Sequence, residues 1–201
     1  MSEQAYSFAL SPQEKTWIME LENYVKQHLE STLLKIIETE SILEVPHLSI
    51  YEKAIIFAYT DAKNQQHQRL NAQLRESQGT EISDFGHYLE ASLEKLTPYK
   101  GLVYRGVEES YCDIERYVKA MNNRTVLTEY SFLSTTQVQT KAIGFGNVLF
   151  RIYSRSGKNI EKISKFGTEK EVLFSRNTQF KVVNVTHNGQ FAAITLKEIK
   201  K

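Results

Sequence analysis

Three short stretches carry residue types able to do chemistry, and they fall in order along the second half of the chain. Val103-Tyr104-Arg105-Gly106 places an arginine at the end of an apolar run with a glycine behind it. Ser131-Phe132-Leu133-Ser134-Thr135-Thr136 ends in three consecutive hydroxyl residues, and Ser134 lies 29 positions after Arg105. Phe166-Gly167-Thr168-Glu169-Lys170-Glu171-Val172-Leu173-Phe174 follows, with Glu169 35 positions beyond Ser134. Residues i and i+2 of a pleated strand share a face, so Glu169 and Glu171 are expected to project into the same space. Two like charges held together are costly unless a site uses them. Singly, each stretch also reads as ordinary structure: a strand end, a strand leaving into a turn, a solvated strand face. In this order, each at a strand terminus, the functional reading outweighs the bland one.

The charge distribution singles out the same half. The chain has 201 residues with Lys+Arg 25 and Asp+Glu 24, a net +1. Residues 1–100 hold 9 Lys/Arg against 15 Asp/Glu, and residues 101–201 hold 16 against 9, a split of −6 and +7. A uniformly basic protein would suggest binding to a nucleic-acid backbone by counterion release. Positive charge confined to one half fits a compact anionic ligand better, so no nucleic-acid partner is expected. Cys112 is the only cysteine and cannot form an internal disulfide. Histidines 28, 47, 67, 87 and 187 have no metal-ligand spacing, so no bound metal is expected either. Met1 to Leu10 carry no basic and apolar export pattern, and no apolar run is long enough to span a bilayer. The expectation is a protein without a Sec signal or membrane anchor, cytoplasmic in its producer or exported by a specialised route.

Around these residues, the pattern predicts the elements that must hold them. Ser11-Pro12-Gln13-Glu14 is a capping box with proline at the first helical position, and Trp17, Ile18, Leu21, Val25 and Leu29 follow at helical spacing. Leu33, Leu34, Ile36 and Ile37 extend this apolar face, so one long helix is expected to run toward Pro46. Ser49-Ile50-Tyr51-Glu52 opens a second helix, Asn64 to Arg75 forms another closed by Ser77-Gln78-Gly79, and Phe85 to Leu96 a further one ended by Thr97-Pro98. Beyond Pro98, β-branched and aromatic runs predict strands at 101–105, 130–135, 148–153, 171–174, 180–186 and 191–196. Helices are expected at Ile114–Met121 and, shorter, at Thr140–Phe145. Helices first and strands afterwards argue for an α+β fold. Composition, 41% hydrophobic and 24% charged, and length argue for one globular domain over residues 1–201.

The constellation resembles the arginine–serine–glutamate class of mono-ADP-ribosyltransferases, shared by bacterial binary toxins and vertebrate ecto-enzymes. Ala142-Ile143-Gly144-Phe145-Gly146, Leu149-Phe150-Arg151-Ile152, Gly157, Ile160 and Ile163-Ser164 resemble the family's route from its Ser-Thr-Ser strand to the glutamates. Ala54-Ile55, Tyr59-Thr60, Asn71 and Leu74-Arg75 resemble the helical lead-in of the bacterial exoenzyme branch. The similarity runs over roughly residues 50 to 199. It implies a helical N-terminal half packed on a mostly antiparallel β-sandwich core, with about 1–48 as a helical extension and about 49–201 as the catalytic region.

The resemblance also implies roles. NAD would be the donor. Arg105 would grip a phosphate through its forked guanidinium, and Arg151 matches a second arginine of part of the family. Ser134 would orient the catalytic carboxylate, with Thr135 supporting the strand end. Thr136 stands where the family has serine. Glu171 would hold the 2′-hydroxyl and stabilise oxocarbenium-like charge on the ribose. Glu169 would face the nucleophile, and a glutamate there goes with arginine as acceptor. Phe166 resembles an aromatic that contacts the protein substrate, or else anchors its loop in the core. Phe145 is a candidate for stacking on nicotinamide, with a buried core position the stronger reading. Alternation turns Tyr104 away from Arg105 toward the core, Cys112 is expected to pack as a small hydrophobe, and His87 to sit on a helix surface. The expected protein is a monomeric bacterial or phage effector or toxin acting on an arginine of a target protein. NAD hydrolysis as the main reaction, or a non-catalytic binding module, are the competing readings.

Overall fold

The two capping boxes form as their sequences require. The hydroxyls of Ser11 and Ser49 accept the N–H of Glu14 and Glu52, and each glutamate carboxylate accepts its serine's N–H in return. The computed structural model describes residues 11–39, 45–61, 63 and 65–199. Helix α1 spans Pro12–His28, but the long helix expected here breaks at Leu29, whose φ −133° and ψ 24° leave helical geometry, and α2 (Glu30–Ile37) restarts behind it. The break divides one apolar face between two helices. Helix α3 (Ile50–Thr60) is buried along nearly its whole length, and α4 (Gln66–Glu76) and α5 (Asp84–Glu94) follow. Leu21, Val25, Leu29 and Ile36 share one core with Ile55, Ile56, Leu74 and Leu89, so α1 and α2 pack as part of the helical layer.

The second half supplies β1 (Gly101–Val107), α6 (Ile114–Asn123), β2 (Val126–Glu129), β3 (Leu133–Thr136), α7 (Gln139–Ile143), β4 (Val148–Ser154), β5 (Lys158–Asn159), β6 (Glu171–Phe174), β7 (Thr178–His187) and β8 (Ala192–Glu198). The fold is α+β. β2 and β5 have no counterpart among the predicted strands, and the two residues of β5 are too short for alternation to register. The strand order is β2-β7-β8-β4-β1-β3-β6-β5, with β4 and β8 the only parallel pair among the described residues.

One joint in that order matters most. β1 and β4 share seven register pairs, whereas β1 and β3 share one, Tyr104↔Thr136. The sheet therefore behaves as five strands and three strands hinged at a single pair. Val172 and Phe174 of β6 pack with Val103, Phe150, Ile152 and Phe180 of the larger part, while Leu173 packs with the helices. The three-stranded part is thus the middle layer, buried on both faces. Strands covered on both sides read as continuous apolar runs, which is what Val172-Leu173-Phe174 is.

Candidate active site

β3 and β6 pair so that Ser134 lies opposite Leu173 and Thr136 opposite Glu171. Residues opposite one another share a face, as do residues two apart, so Ser134 and Glu171 are diagonal neighbours on one side of the ladder. The Ser134 hydroxyl donates to Glu171 Oε1 at 2.5 Å. From the far side, Ser164 donates to Oε2 at 3.1 Å. Glu171 is 6% exposed, and burial holds its carboxyl above the usual carboxylate range. The two serine bonds and the Arg105 charge act against burial, and the neighbouring Glu169 charge acts with it.

All three hydroxyls of the triplet are tied to the segment that carries the glutamates. Thr135 is buried and its Oγ1 donates to the Val172 carbonyl at 2.6 Å, and Thr136 Oγ1 donates to the Glu169 carbonyl at 2.6 Å. The Thr135 hydroxyl is thus engaged by backbone instead of being held out for a ligand. Thr136 anchors the turn on which Glu169 sits. Lys141 Nζ donates to the Thr168 carbonyl of the same turn.

That turn corrects the pleat argument for the glutamate pair. Glu169 ends a single 3₁₀ turn, Gly167–Glu169, and Lys170 adopts the left-handed conformation at φ 48°, ψ 52° before β6 begins at Glu171. The two carboxylates do border one cleft, but they reach it from different backbone geometries. Strand alternation has no part in it. Glu169 is half-buried, and among the described residues no hydrogen bond holds its carboxylate.

The cleft has a volume of about 890 Å³ and lies between β1, β3, α3, α4 and α6. Arg105 lines it and donates from Nη1 to the Ser134 carbonyl at 2.8 Å, which couples the arginine strand to the serine strand across the narrow β1–β3 joint. Gly106 is required beside it: a Cβ there would lie 1.8 Å from the Ala142 carbonyl of α7, so only glycine lets α7 close over β1.

Arg151 lies apart from the other arginines. Along β4, Phe150 and Ile152 line the cleft, whereas Arg151 between them is exposed and is not part of the cleft wall, although Tyr104, its register partner on β1, is. Tyr104 pairs with Arg151, is half-buried, and belongs to neither hydrophobic core. Phe145, read as a core residue, is 59% exposed at the cleft rim, because α7 ends at Ile143 and the chain turns outward before β4. Phe166 is 44% exposed at the same rim and is not a core anchor. Cys112 packs half-buried against the strand core, and burial, with Asp113 and Glu109, pushes its thiol up to about 11.

The site also contains residues without an expected role. Arg75 and Arg116 line the cleft with Arg105. Asn71 receives the Phe132 N–H on Oδ1 at 3.1 Å and donates to Tyr59 Oη at 3.0 Å, fixing the start of β3 against α3 and α4. Tyr59 is buried, and burial raises its phenol well above the ordinary value. Asn71, Arg75 and Ser164 all fall in stretches that carry the family resemblance, which was the available signal.

The family described as "NAD:arginine ADP-ribosyltransferase" matches residues 3–201. Among curated proteins, the chain is 33% identical over 141 residues to Mav of Mycobacterium avium (strain 104), named for NAD(+)–arginine ADP-ribosyltransferase activity, covering 67% of this chain and 16% of that protein. It is 29% identical over 156 residues to the ADP-ribosyltransferase toxin AexT of Aeromonas salmonicida, covering 73% of this chain and 31% of that protein. It therefore spans less than a third of either relative. Among solved structures, exoenzyme S from Pseudomonas aeruginosa, crystallised with human 14-3-3 protein beta and carba-NAD, superposes with a TM-score of 0.71 at 21% identity, covering 90% of this chain and 88% of that one. At that identity the likeness shows the fold.

Proposed function

This chain belongs to the NAD:arginine ADP-ribosyltransferase family, and from that premise we propose that it transfers the ADP-ribosyl group of NAD to an arginine side chain of a target protein. The observation that carries the reading is Glu171: a buried carboxylate gripped on both oxygens by serine hydroxyls, in a cleft that also holds Arg105 and Glu169. Arg75, Arg105 and Arg116 suit the two phosphates of a dinucleotide, and the cleft volume falls within the range of about 300–1,000 Å³ common for ligand sites.

In this reading the arginines hold the pyrophosphate and Glu171 accepts a hydrogen bond from the 2′-hydroxyl of the nicotinamide ribose. Cleavage of the C1′–nitrogen bond sends its electron pair to nicotinamide and leaves positive character on the ribose. A fixed carboxylate in a water-poor site stabilises that charge without reorganising. Glu169, at the open rim, holds the incoming guanidinium, whose nitrogen bonds to C1′ and releases a proton. Phe166 and Phe145, exposed on that rim, meet the target or the nicotinamide ring. The exposed placement of Arg151 leaves it out of this scheme. The toxin name of one relative supports an effector role.

Incubation of labelled NAD with wild type and Glu171→Gln, with and without a small guanidine such as agmatine, tests the reading. Label on the guanidine from wild type and none from the variant is the expected result. Free ADP-ribose as the sole product would make it a glycohydrolase, and binding of NAD without turnover would make it a binding module.

A further inference from the structure

Glu171 receives one hydroxyl from β3 and another from a segment that has no strand pairing of its own, and this second donor is the less expected. Ser164 is 7% exposed and sits after β5, where Ile160 N–H is bonded to the Glu171 carbonyl at 3.0 Å and Ser164 N–H to the Ile160 carbonyl at 2.7 Å. The turn that carries Ser164 is thus pinned to the backbone of the residue its side chain grips. The next residue fixes it from the other side: Lys165 N–H donates to Thr60 Oγ1 at 3.0 Å, and its ammonium pairs with Asp61 at 2.5 Å, both at the C-terminal end of α3. The same Ser164 oxygen accepts the N–H of Phe166 at 3.3 Å.

We propose that Ser164 is a positioning residue that fixes the Glu171 carboxylate from the side opposite Ser134 and sets the Phe166–Glu169 loop in register with it. The inference rests on the reading of Glu171 as the group that faces the ribose. With a single hydroxyl partner, a carboxylate can still turn about its last bond. With one donor on each oxygen, from two independent segments, its plane is fixed before substrate arrives, which is what preorganised stabilisation requires. Each carboxylate oxygen has two lone pairs, so both keep capacity for a further bond from substrate. The Ser164 bond also favours the ionised form against burial, so losing it moves the carboxyl further up.

Steady-state kinetics of Ser164→Ala and Ser164→Thr, measured for NAD cleavage and for transfer to agmatine across pH, separate this role from simple loop support. Ser164→Ala is expected to lower kcat of both reactions by the same factor, about 10-fold, to leave KM for NAD within about twofold, and to move the acid limb of the profile to higher pH. Ser164→Thr, which keeps the hydroxyl, is expected to restore most of the rate. Loss of transfer alone, with cleavage and the acid limb unchanged, would assign Ser164 to the loop only and overturn the proposal, as would an alanine variant with wild-type kinetics. If Ser164→Ala shows no cooperative thermal transition, Ser164→Cys, which keeps the volume and offers a weak donor, carries the same expectation. A wild type without NAD turnover defeats the functional reading itself, whereas an active wild type with indifferent Ser164 variants defeats this inference alone.

Discussion

Glu171 and Glu169 are the same residue type two positions apart, and the fold treats them in opposite ways. Glu171 begins a strand buried on both faces, and serines from two segments hold its two oxygens. Glu169 ends a single turn at the cleft rim, with its backbone tied by Thr136 and, among the described residues, no hydrogen bond to its carboxylate. A charge that must stabilise another charge forming inside the site gains from being fixed and shielded from water. A charge that must receive a group from another protein gains from being reachable. The comparison teaches that acidity at a site is divided by rigidity and access, and sequence proximity conceals the division.

The comparison can be broken most directly by neutralising each carboxylate in turn. Glu171→Gln is expected to lower both NAD cleavage and transfer by on the order of 10²–10³-fold, the size of effect seen when one preorganised electrostatic partner is lost. Glu169→Gln is expected to abolish transfer to guanidine while NAD cleavage persists. Product analysis with labelled NAD reads both. Equal loss of cleavage in the two variants would show that the division of roles is wrong.

A second expectation concerns pH. Activity that needs ionised Glu171 should fall as pH drops through its raised value, so the acid limb of the NAD-cleavage profile lies above the ordinary 4.5. Stability moves the other way. With the folded value above the unfolded one, this group's contribution is fully present below the unfolded value and is lost as pH rises through the folded value. Glu171→Gln lacks that loss, so thermal melts should show it at least as stable as wild type at neutral pH, with the difference shrinking toward pH 4. A variant clearly less stable at neutral pH would show that its ionised carboxylate is not a net burden to the fold.

Smaller effects sharpen the picture of the rim. Thr136→Val removes the hydroxyl that holds the Glu169 turn and should cost about 1 kcal/mol in denaturant unfolding, with transfer reduced several-fold more than cleavage. Arg151→Ala should be nearly silent: KM for NAD within about twofold and stability within about 0.5 kcal/mol, as for other exposed substitutions. A large rise in KM would return Arg151 to the site and contradict its place outside the cleft wall.

Much was legible because local rules act on local residues. The two capping boxes announce α1 and α3, and Val172-Leu173-Phe174 announces a strand covered on both faces. Arg105, Ser134 and the glutamates stand out because three stretches that singly read as ordinary structure fall together in one order. The break at Leu29 was not legible, since an apolar face at constant helical spacing reads the same whether it belongs to one helix or to two that bend around a core. Phe145 was misread for a related reason: an aromatic flanked by glycines gives no sign of which way its loop will turn.

The sequence by itself determined which groups are available for chemistry, the α+β order of elements, and the excess of positive charge in the half that carries Arg105, Ser134 and both glutamates. Only the tertiary structure decided which arginines share the cleft. Arg75 and Arg116 come from helices distant in sequence, while Arg151, one residue from cleft-lining Phe150, is exposed and not part of the cleft wall. It likewise decided that Ser164 meets Glu171 from across a loop, and that the hydroxyl triplet Ser134-Thr135-Thr136 anchors the glutamate segment through three separate bonds. The physical reason is that hydrogen bonds and burial depend on direction and distance in space. Residue type and spacing constrain those only within a single element, and the site is built from many.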